Sequence, residues 1–229
     1  MAALNRQPGA SGRQGAVMDE RQKSWIWSDP GGYDRWTAAE ACIYYERYND
    51  LLDLVVVRCQ VRVDDLVLDI GSGTGELARR FALNRGCQVI GLDPSAGMVD
   101  EARRKACEGK WGDVSFRVVD APFLEIPYAD GTFDAVGSTQ AFHHLPECHK
   151  PAAVREMARV LRGGGCLAIG DVIFHCRADL KAALARWPEE LEEEHFAYLE
   201  TLQPMFREAG LSIHAEQLSR ANWVVWGRK

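Results

Sequence analysis

The chain sets 27 lysines and arginines against 33 aspartates and glutamates over 229 residues, a formal net charge of −6. That length suits one sizeable α/β domain and is short for two, and the acidic balance argues against nucleic acid as the main partner. No run of 18 apolar residues exists, so no membrane span is expected. The start lacks an apolar signal-peptide core, and seven scattered cysteines (Cys42, Cys59, Cys87, Cys107, Cys148, Cys166, Cys176) read as thiols of a reducing, cytoplasmic setting.

Residues 1–18, rich in Gly, Gln, Ala and Arg without periodicity, are expected to be a flexible leader, with Met18 an alternative start. Residues 19–60 are expected to form an N-terminal helical cap. It holds Trp25, Trp27, Tyr33, Trp36, Tyr44, Tyr45 and Tyr48, and from Trp36 onward Ala39, Ile43, Arg47, Leu51 and Leu54/Val55 recur at helical spacing. These rings either glue helices onto a sheet or line a water-excluding pocket whose ring faces favour a cation. Tyr44 and Tyr48, one turn apart, and Trp36 are the pocket candidates.

The main domain, 61–229, opens on Val67-Leu68-Asp69-Ile70-Gly71-Ser72-Gly73-Thr74-Gly75-Glu76, a short apolar strand running into three glycines and then a helical pattern from Leu77 to Ala82. Glycines so spaced let a ligand approach the backbone, the helix start adds free N–H groups, and Asp69 suits a cationic group. A dinucleotide fingerprint needs glycine at position 76, where Glu76 would sit badly beside a pyrophosphate, and no Walker Lys-Ser/Thr pair follows. A second strand, Gln88 to Leu92, ends in Asp93, 22 residues after Gly71. An acidic side chain at that distance suits a ribose diol. A helix capped by Ser95 follows, on which Met98 either packs against an adenine face or is plain core.

A third strand, Val114 to Val119, leads to Asp120-Ala121, and a fourth, Phe133 to Ser138, runs into Thr139-Gln140-Ala141-Phe142-His143-His144-Leu145. A helix from Ala152 to Leu161, Gly163-Gly164-Gly165 and a fifth strand, Cys166 to Ile173, come next. The helix Pro204 to Ala209 precedes two closely linked strands, Leu211 to Leu218 and Trp223 to Gly227, which must pair antiparallel. Alternation of strands and helices requires a parallel sheet with right-handed crossovers.

In order and spacing, the segments from Val67 to Lys229 resemble the motif set of class I S-adenosylmethionine (SAM)-dependent methyltransferases. The resemblance implies an α/β fold with a seven-stranded, mostly parallel sheet, helices on both faces and a C-terminal antiparallel hairpin. It implies SAM as cofactor and S-adenosylhomocysteine (SAH) as product. Asp69, Gly71, Gly73 and Gly75 would hold the methionine part, Asp93 the ribose, and Met98, Asp120 and Ala121 the adenine; Ser72, Pro94 and Thr139 complete the set. His144 first and His143 second would accept a proton from the nucleophile, by resemblance to family members with a histidine in this loop.

Two clusters invite a metal. His143-His144-Leu145-Pro146-Glu147-Cys148-His149 lacks the paired spacing of zinc sites, so no metal is expected. The insertion Ala178 to Gln203 carries Glu189, Glu190, Glu192, Glu193 and Glu194, expected to be the solvated face of a lid helix whose buried stripe is Leu191, Phe196, Leu199 and Leu202. The loop after strand four lacks the Asn/Asp-Pro-Pro-Tyr/Phe signature of nitrogen modifiers, and no Asp pair is placed for a magnesium-held catechol. The Ala141–Leu145 run, the Gly163-Gly164-Gly165…Asp171 strand and the Trp223–Lys229 tail resemble the YrrT-type and quinone C-methyltransferase-like groups. The expected activity is methyl transfer to a small molecule. The alternatives are a macromolecular acceptor, a SAM-fold protein with a binding or non-methylating role, and an NAD-dependent oxidoreductase, which Glu76 and the hairpin disfavour. Oligomeric state is not legible.

Overall fold

The computed structural model describes residues 29–40, 42–192 and 194–229. The expected leader, Met18, Trp25, Trp27 and Glu193 lie outside the described residues.

Helix α1 (Pro30–Ala38) is started by Asp29, whose side chain accepts from Gly32 N, with Pro30 in the first turn where its missing N–H costs nothing. The single helical register expected from Trp36 onward does not form. Glu40 and Arg47 take positive φ angles of 48° and 59°, the chain turns back, and α2 (Tyr48–Cys59) begins anew. The reversal buries Ile43 and Tyr45 as well as the stripe Leu51, Leu52 and Val55, which one straight helix could not do.

The core alternates β1 (Leu66–Ile70), α3 (Glu76–Arg85), β2 (Gln88–Asp93), α4 (Ala96–Gly109), β3 (Val114–Val118), β4 (Phe133–Thr139), α5 (Lys150–Val160) and β5 (Leu161–Phe174). After β5 come α6 (Arg177–Arg186), a two-residue β6 (Ala197–Tyr198), α7 (Leu199–Glu208), β7 (His214–Gln217) and β8 (Asn222–Arg228). The sheet order is β3-β2-β1-β4-β5-β8-β7, with β6 added beside the end of β5. β1 to β5 run parallel, whereas β8 is antiparallel to both β5 and β7. The expected seven strands and C-terminal hairpin are therefore present, with β6 an eighth short strand.

Strand alternation sorts the core into two layers. Val67, Val89, Ala135, Ala168 and Val224 pack under α2, α3 and α4 with Leu51, Val55, Phe81 and Val99. Leu68, Leu92, Val136, Leu167 and Val225 face the other side, against Val154 and Met157 of α5 and Leu202 and Phe206 of α7. Helix α7 is longer than the expected Pro204–Ala209 and contains Pro204 within it. Burial of Leu199, Leu202 and Phe206 outweighs a proline cost of about 3 kcal/mol.

The acidic run is not the expected lid helix: within the insertion, α6 ends at Arg186 and α7 starts only at Leu199. Residues 188–190 form a turn, and residues 191, 192 and 194–196 belong to no helix or strand. Carboxylates so closely placed repel at helical spacing, and the loop is pinned instead by the Tyr44 hydroxyl, which donates to Glu192 O at 3.3 Å and accepts from Glu192 N at 3.2 Å. Among the described residues no helix is long and apolar enough to cross a membrane.

Candidate active site

The chain order reverses between β1 and β4, and their carboxyl ends open onto a cavity of about 610 Å³. Ligands of open α/β sheets bind at such switch points.

One half of the cavity is the glycine loop. Gly71 N and Ser72 N both donate to Leu92 O, at 2.8 and 3.1 Å, tying the loop to β2. Gly71 has φ +69°, and a Cβ there would lie 2.3 Å from the Ala141 Cβ, so glycine is what lets the loops after β1 and β4 touch. Gly73, at φ +50°, would project a Cβ into open space; the cradle is shaped for something absent from the chain. Asp93 accepts from Gly73 N at 2.8 Å and Ser95 N at 2.9 Å. Burial raises its pKa despite those two bonds.

Asp69 lies one residue inside β1, accepts from Ala78 N at 3.1 Å, and has its other oxygen without a partner among the described residues. Burial, with Asp93 nearby, pushes its carboxyl up to about 8. The buried Ser72 hydroxyl is likewise unpartnered among the described residues. Unsatisfied buried polar atoms beside an open cradle are what a bound polar ligand would complete.

Helix α1 covers this half. Lys105 Nζ bonds Asp34 at 2.6 Å and Glu76 at 2.8 Å, and Thr74 donates to Asp34. Tyr33 and Trp36 pack edge-on against Tyr45, which packs in turn on Tyr48. Burial raises the pKa of Tyr33 to about 12 and of Tyr45 and Tyr48 well above 10, so all three stay neutral.

The other half is built around His143. Asp171, near the carboxyl end of β5 and 1% exposed, accepts from the backbone N–H groups of Ala141, Phe142 and His143 at 3.2, 2.8 and 3.2 Å. Its second oxygen lies 2.6 Å from His143 Nδ1. Burial would raise the Asp171 pKa, but the imidazole and Lys150 outweigh it and hold the carboxyl below its usual range. An ionised carboxylate only accepts, so Nδ1 carries the proton and Nε2 offers its lone pair to the cavity. Burial pulls the His143 pKa down, while Asp171 and then Glu194 push it up and prevail.

Neighbours fix this arrangement. Lys150 Nζ, buried and lowered to about 8, donates to Phe142 O at 2.6 Å. Gln140, at φ +49°, bonds both Tyr44 O and Asn222 Oδ1 at 2.7 Å, and Asn222 reaches Ile43, Tyr44 and Glu46 carbonyls. That buried network locks the cap's turn against the histidine loop. Glu194 Oε2 lies 3.8 Å from His143 Nε2 and 3.6 Å from His144 Nδ1.

Of the residues the sequence proposed, the cavity wall brings together Trp36, Tyr44, Tyr48, Gly71, Ser72, Gly73, Asp93, Met98, Thr139, His143 and His144. Asp69, Gly75, Pro94, Asp120 and Ala121 are not on that wall. Gly75 instead starts α3 at φ +88°, where a Cβ would strike Phe116 at 2.8 Å. Pro94 and Asp120 are exposed beyond β2 and β3. His144 is 48% exposed, against 4% for His143. Sequence reasoning gave Gln140 no role, took Glu194 for a solvated lid carboxylate, and left Tyr33 and Tyr45 among the cap rings without choosing them for the pocket. It noted Asp171 without a role, although a lone carboxylate in the apolar run from Cys166 to Ile173 had to find a buried partner. His143, His144 and Glu194 also form a group that could hold a metal, their ligand atoms within 4.8 Å of one another.

Residues 67–165 match the methyltransferase domain family. A methyltransferase of Geobacillus thermodenitrificans is 32% identical over 193 residues, 80% of this chain and 86% of the relative. The 27-O-demethylrifamycin SV methyltransferase of Amycolatopsis mediterranei is 32% identical over 207 residues, 87% of this chain and 74% of the relative. The chain belongs to the class I SAM-dependent methyltransferases. Among solved structures, YcgJ of Bacillus subtilis matches this methyltransferase with a TM-score of 0.62 at 28% identity, covering 74% of this chain and 71% of that one. The methyltransferase uses SAM, and its glycine cradle, with the unpartnered Ser72 hydroxyl on the cavity wall, fits that cofactor.

Proposed function

We propose that this methyltransferase acts on a small molecule and that His143, rather than His144, takes the proton. The observation that carries the reading is the buried Asp171–His143 pair at 2.6 Å, opening onto a cavity continuous with the glycine loop. A cavity of about 610 Å³ is of the size that buries small ligands. The similarity to an enzyme whose name gives 27-O-demethylrifamycin SV as its acceptor supports the same class.

Gly71, Ser72, Gly73, Asp93, Met98 and Thr139 would hold SAM, with Asp69 positioning the start of α3 beneath it. Bound SAM supplies a methyl group on a cationic sulfur. The chain aligns the acceptor, excludes water with the aromatic cap and receives a proton at His143 Nε2. Alignment contributes up to roughly 7–11 kcal/mol to such a displacement, and a positioned base a further factor of about 10²–10⁴. A metal on His143, His144 and Glu194 is the competing reading, since the same Nε2 lone pair cannot both ligate an ion and take the proton.

The test is SAH release from SAM across a panel of phenols, alcohols, amines and thiols. We expect turnover with a small hydroxyl or thiol acceptor, a loss of about 10²-fold or more in His143→Gln, and a smaller loss in His144→Gln. A His144→Gln variant that loses more activity than His143→Gln would reverse the assignment.

A further inference from the structure

Two segments outside the sheet face each other beside His143. One is the cap's turn between α1 and α2, carrying Tyr44; the other is the stretch between α6 and β6, carrying Phe196. Their rings lie 6.0 Å apart, and each lies 6.2 Å from the His143 ring. All three residues line the cavity, so the separation of the two segments sets the space next to the base. Segments without a ladder of their own backbone bonds hold a fixed shape only through ties to something rigid.

Those ties converge on the tip of the β7–β8 hairpin. Besides the Asn222 bonds to the cap carbonyls, Arg47 Nη1 donates to Leu218 O at 3.0 Å. Arg220, at the tip, reaches both segments. Its Nε and its backbone N donate to Glu46 at 3.1 and 3.2 Å, and Nη2 donates to Glu190, on the cavity wall, at 3.1 Å. The guanidinium also lies 5.2 Å from the centre of the Trp187 ring. The tip is anchored in turn, with Ala221 fully buried and Ile173 N of β5 donating to Ala221 O at 2.9 Å. Bonding two carboxylates while lying over a ring takes a planar group with several fixed donors, which arginine provides and lysine does not. The side chains of Arg220, Glu46 and Glu190 are 37%, 34% and 26% exposed, so each pair taken alone adds little stability. What the arrangement supplies is coupling, with one group holding both segments at a fixed separation.

We propose that Arg220 is a positioning residue for the methyl acceptor: by joining the cap turn and the α6–β6 segment to the hairpin tip, it fixes the gap between Tyr44 and Phe196. This rests on the acceptor lying beside His143, as proposed above. Arg220 is not itself on the cavity wall and acts through the two segments it holds. The cofactor half has ties of its own, from Gly71 N and Ser72 N to Leu92 O and from Gly73 N to Asp93. Loss of Arg220 should therefore loosen the acceptor's surroundings and leave the cofactor cradle as it is.

The test uses the full chain loaded with SAH, comparing wild type with Arg220→Gln, Arg220→Lys and the single-arm variants Glu46→Gln and Glu190→Gln. Amide hydrogen exchange by NMR reads the two segments directly and needs no acceptor. The reporters are Tyr45 N and Tyr48 N in the cap turn and Glu190 N, Leu191 N and Glu192 N in the other segment, each with a hydrogen-bond partner of its own. We expect Arg220→Gln to speed exchange in both sets about 3- to 10-fold. Exchange at Gly71 N and Ser72 N, and SAH affinity by calorimetry, should stay as in wild type. Arg220→Lys should fall between, each single-arm variant should loosen chiefly its own segment, and raised salt should bring wild type toward Arg220→Gln. With the acceptor that the panel of phenols, alcohols, amines and thiols yields, Arg220→Gln should raise KM about 3- to 10-fold and change kcat far less. Adding Glu46→Gln to Arg220→Gln should then raise KM no further. Unchanged exchange or unchanged KM in Arg220→Gln overturns the proposal, as does loosening of one segment alone. Faster exchange at Gly71 and Ser72 with weakened SAH also overturns it, since that marks a general loss of stability. A panel without any acceptor sinks the small-molecule reading, while exchange still decides whether Arg220 joins the two segments. If His143→Gln keeps full turnover, only the base reading fails; if it abolishes turnover while Arg220→Gln behaves as wild type, only the role of Arg220 fails.

Discussion

Replacing Asp171 with asparagine isolates its part in the site. Its carboxylate is shared between three backbone N–H groups of the histidine loop on one oxygen and His143 Nδ1 with the Val172 N–H on the other. An asparagine oxygen can keep the three loop bonds, but its NH₂ must then face Nδ1 and loses the bond from the Val172 N–H. That forces the opposite tautomer, with the proton on Nε2 and no lone pair left for the acceptor. The loss of a positioned base predicts a fall of about 10²–10⁴ in turnover, or roughly 3–5 kcal/mol in the barrier. Folding should weaken by about 1.5–3 kcal/mol, the worth of a hydrogen bond to a charged group. Asp171 touches no substrate, so the decisive assay is spectroscopic. Two-bond nitrogen–proton correlation of the His143 ring should show Nδ1–H in the wild type and Nε2–H in Asp171→Asn. The His143 pKa should also drop, because burial then acts with much less opposition. An unchanged tautomer and pKa with lowered activity would refute the reasoning and leave Asp171 as scaffolding alone.

Asp93→Ala removes the acceptor of Gly73 N and Ser95 N together with the proposed ribose contact; SAH affinity should fall by about 1.5–3 kcal/mol, roughly 10- to 150-fold, and unchanged affinity by calorimetry would remove Asp93 from the cofactor site. Turnover should rise with pH through a His143 pKa above 6.5, since only neutral imidazole takes the proton. A pH–rate profile rising below pH 6 would contradict this. Stability follows the same pair with opposite signs: the raised His143 contributes fully below 6.5 and loses its contribution as pH rises through its folded pKa, whereas the depressed Asp171 contributes fully above 3.8 and loses it as pH falls. The melting-temperature penalty of Asp171→Ala should therefore be greatest between pH 3.8 and 6.5. Lys105→Met cuts the ties from α4 to Asp34 and Glu76 and leaves two carboxylates side by side. SAH should then dissociate faster and bind about 3- to 10-fold more weakly, roughly 1 kcal/mol for a partly buried pair. Equal dissociation rates by stopped flow would show that α1 does not hold the cofactor.

The fold and the glycine loop were legible because their signals are local. Apolar runs of strand length, glycines at positions 71, 73 and 75 and an acid closing β2 each express a backbone requirement within a few residues of itself. The C-terminal hairpin was equally readable, since the short link between β7 and β8 permits only antiparallel pairing. Where local periodicity lacked a tertiary partner it misled. The stripe from Trp36 to Leu54 fits one helix as well as it fits a turn between two, and Glu189 to Glu194 fits an exposed helix face as well as a pinned loop. In both places the choice was made by long-range contacts, Asn222 and Gln140 on the residue 43–46 carbonyls and Tyr44 on Glu192. The sequence could not see the Asp171–His143 pair for the same reason, and the proposed choice of His143 over His144 rests on it.

What the sequence by itself determined is the parallel sheet, its terminal hairpin and a glycine-rich cofactor cradle, because strand period, turn length and freedom at positive φ are properties of neighbouring residues. What only the tertiary structure decided is which histidine meets a buried carboxylate and what stands opposite it. A ring's tautomer is set by the carboxylate it meets, and Asp171 and Glu194 reach His143 from 28 and 51 positions away along the chain.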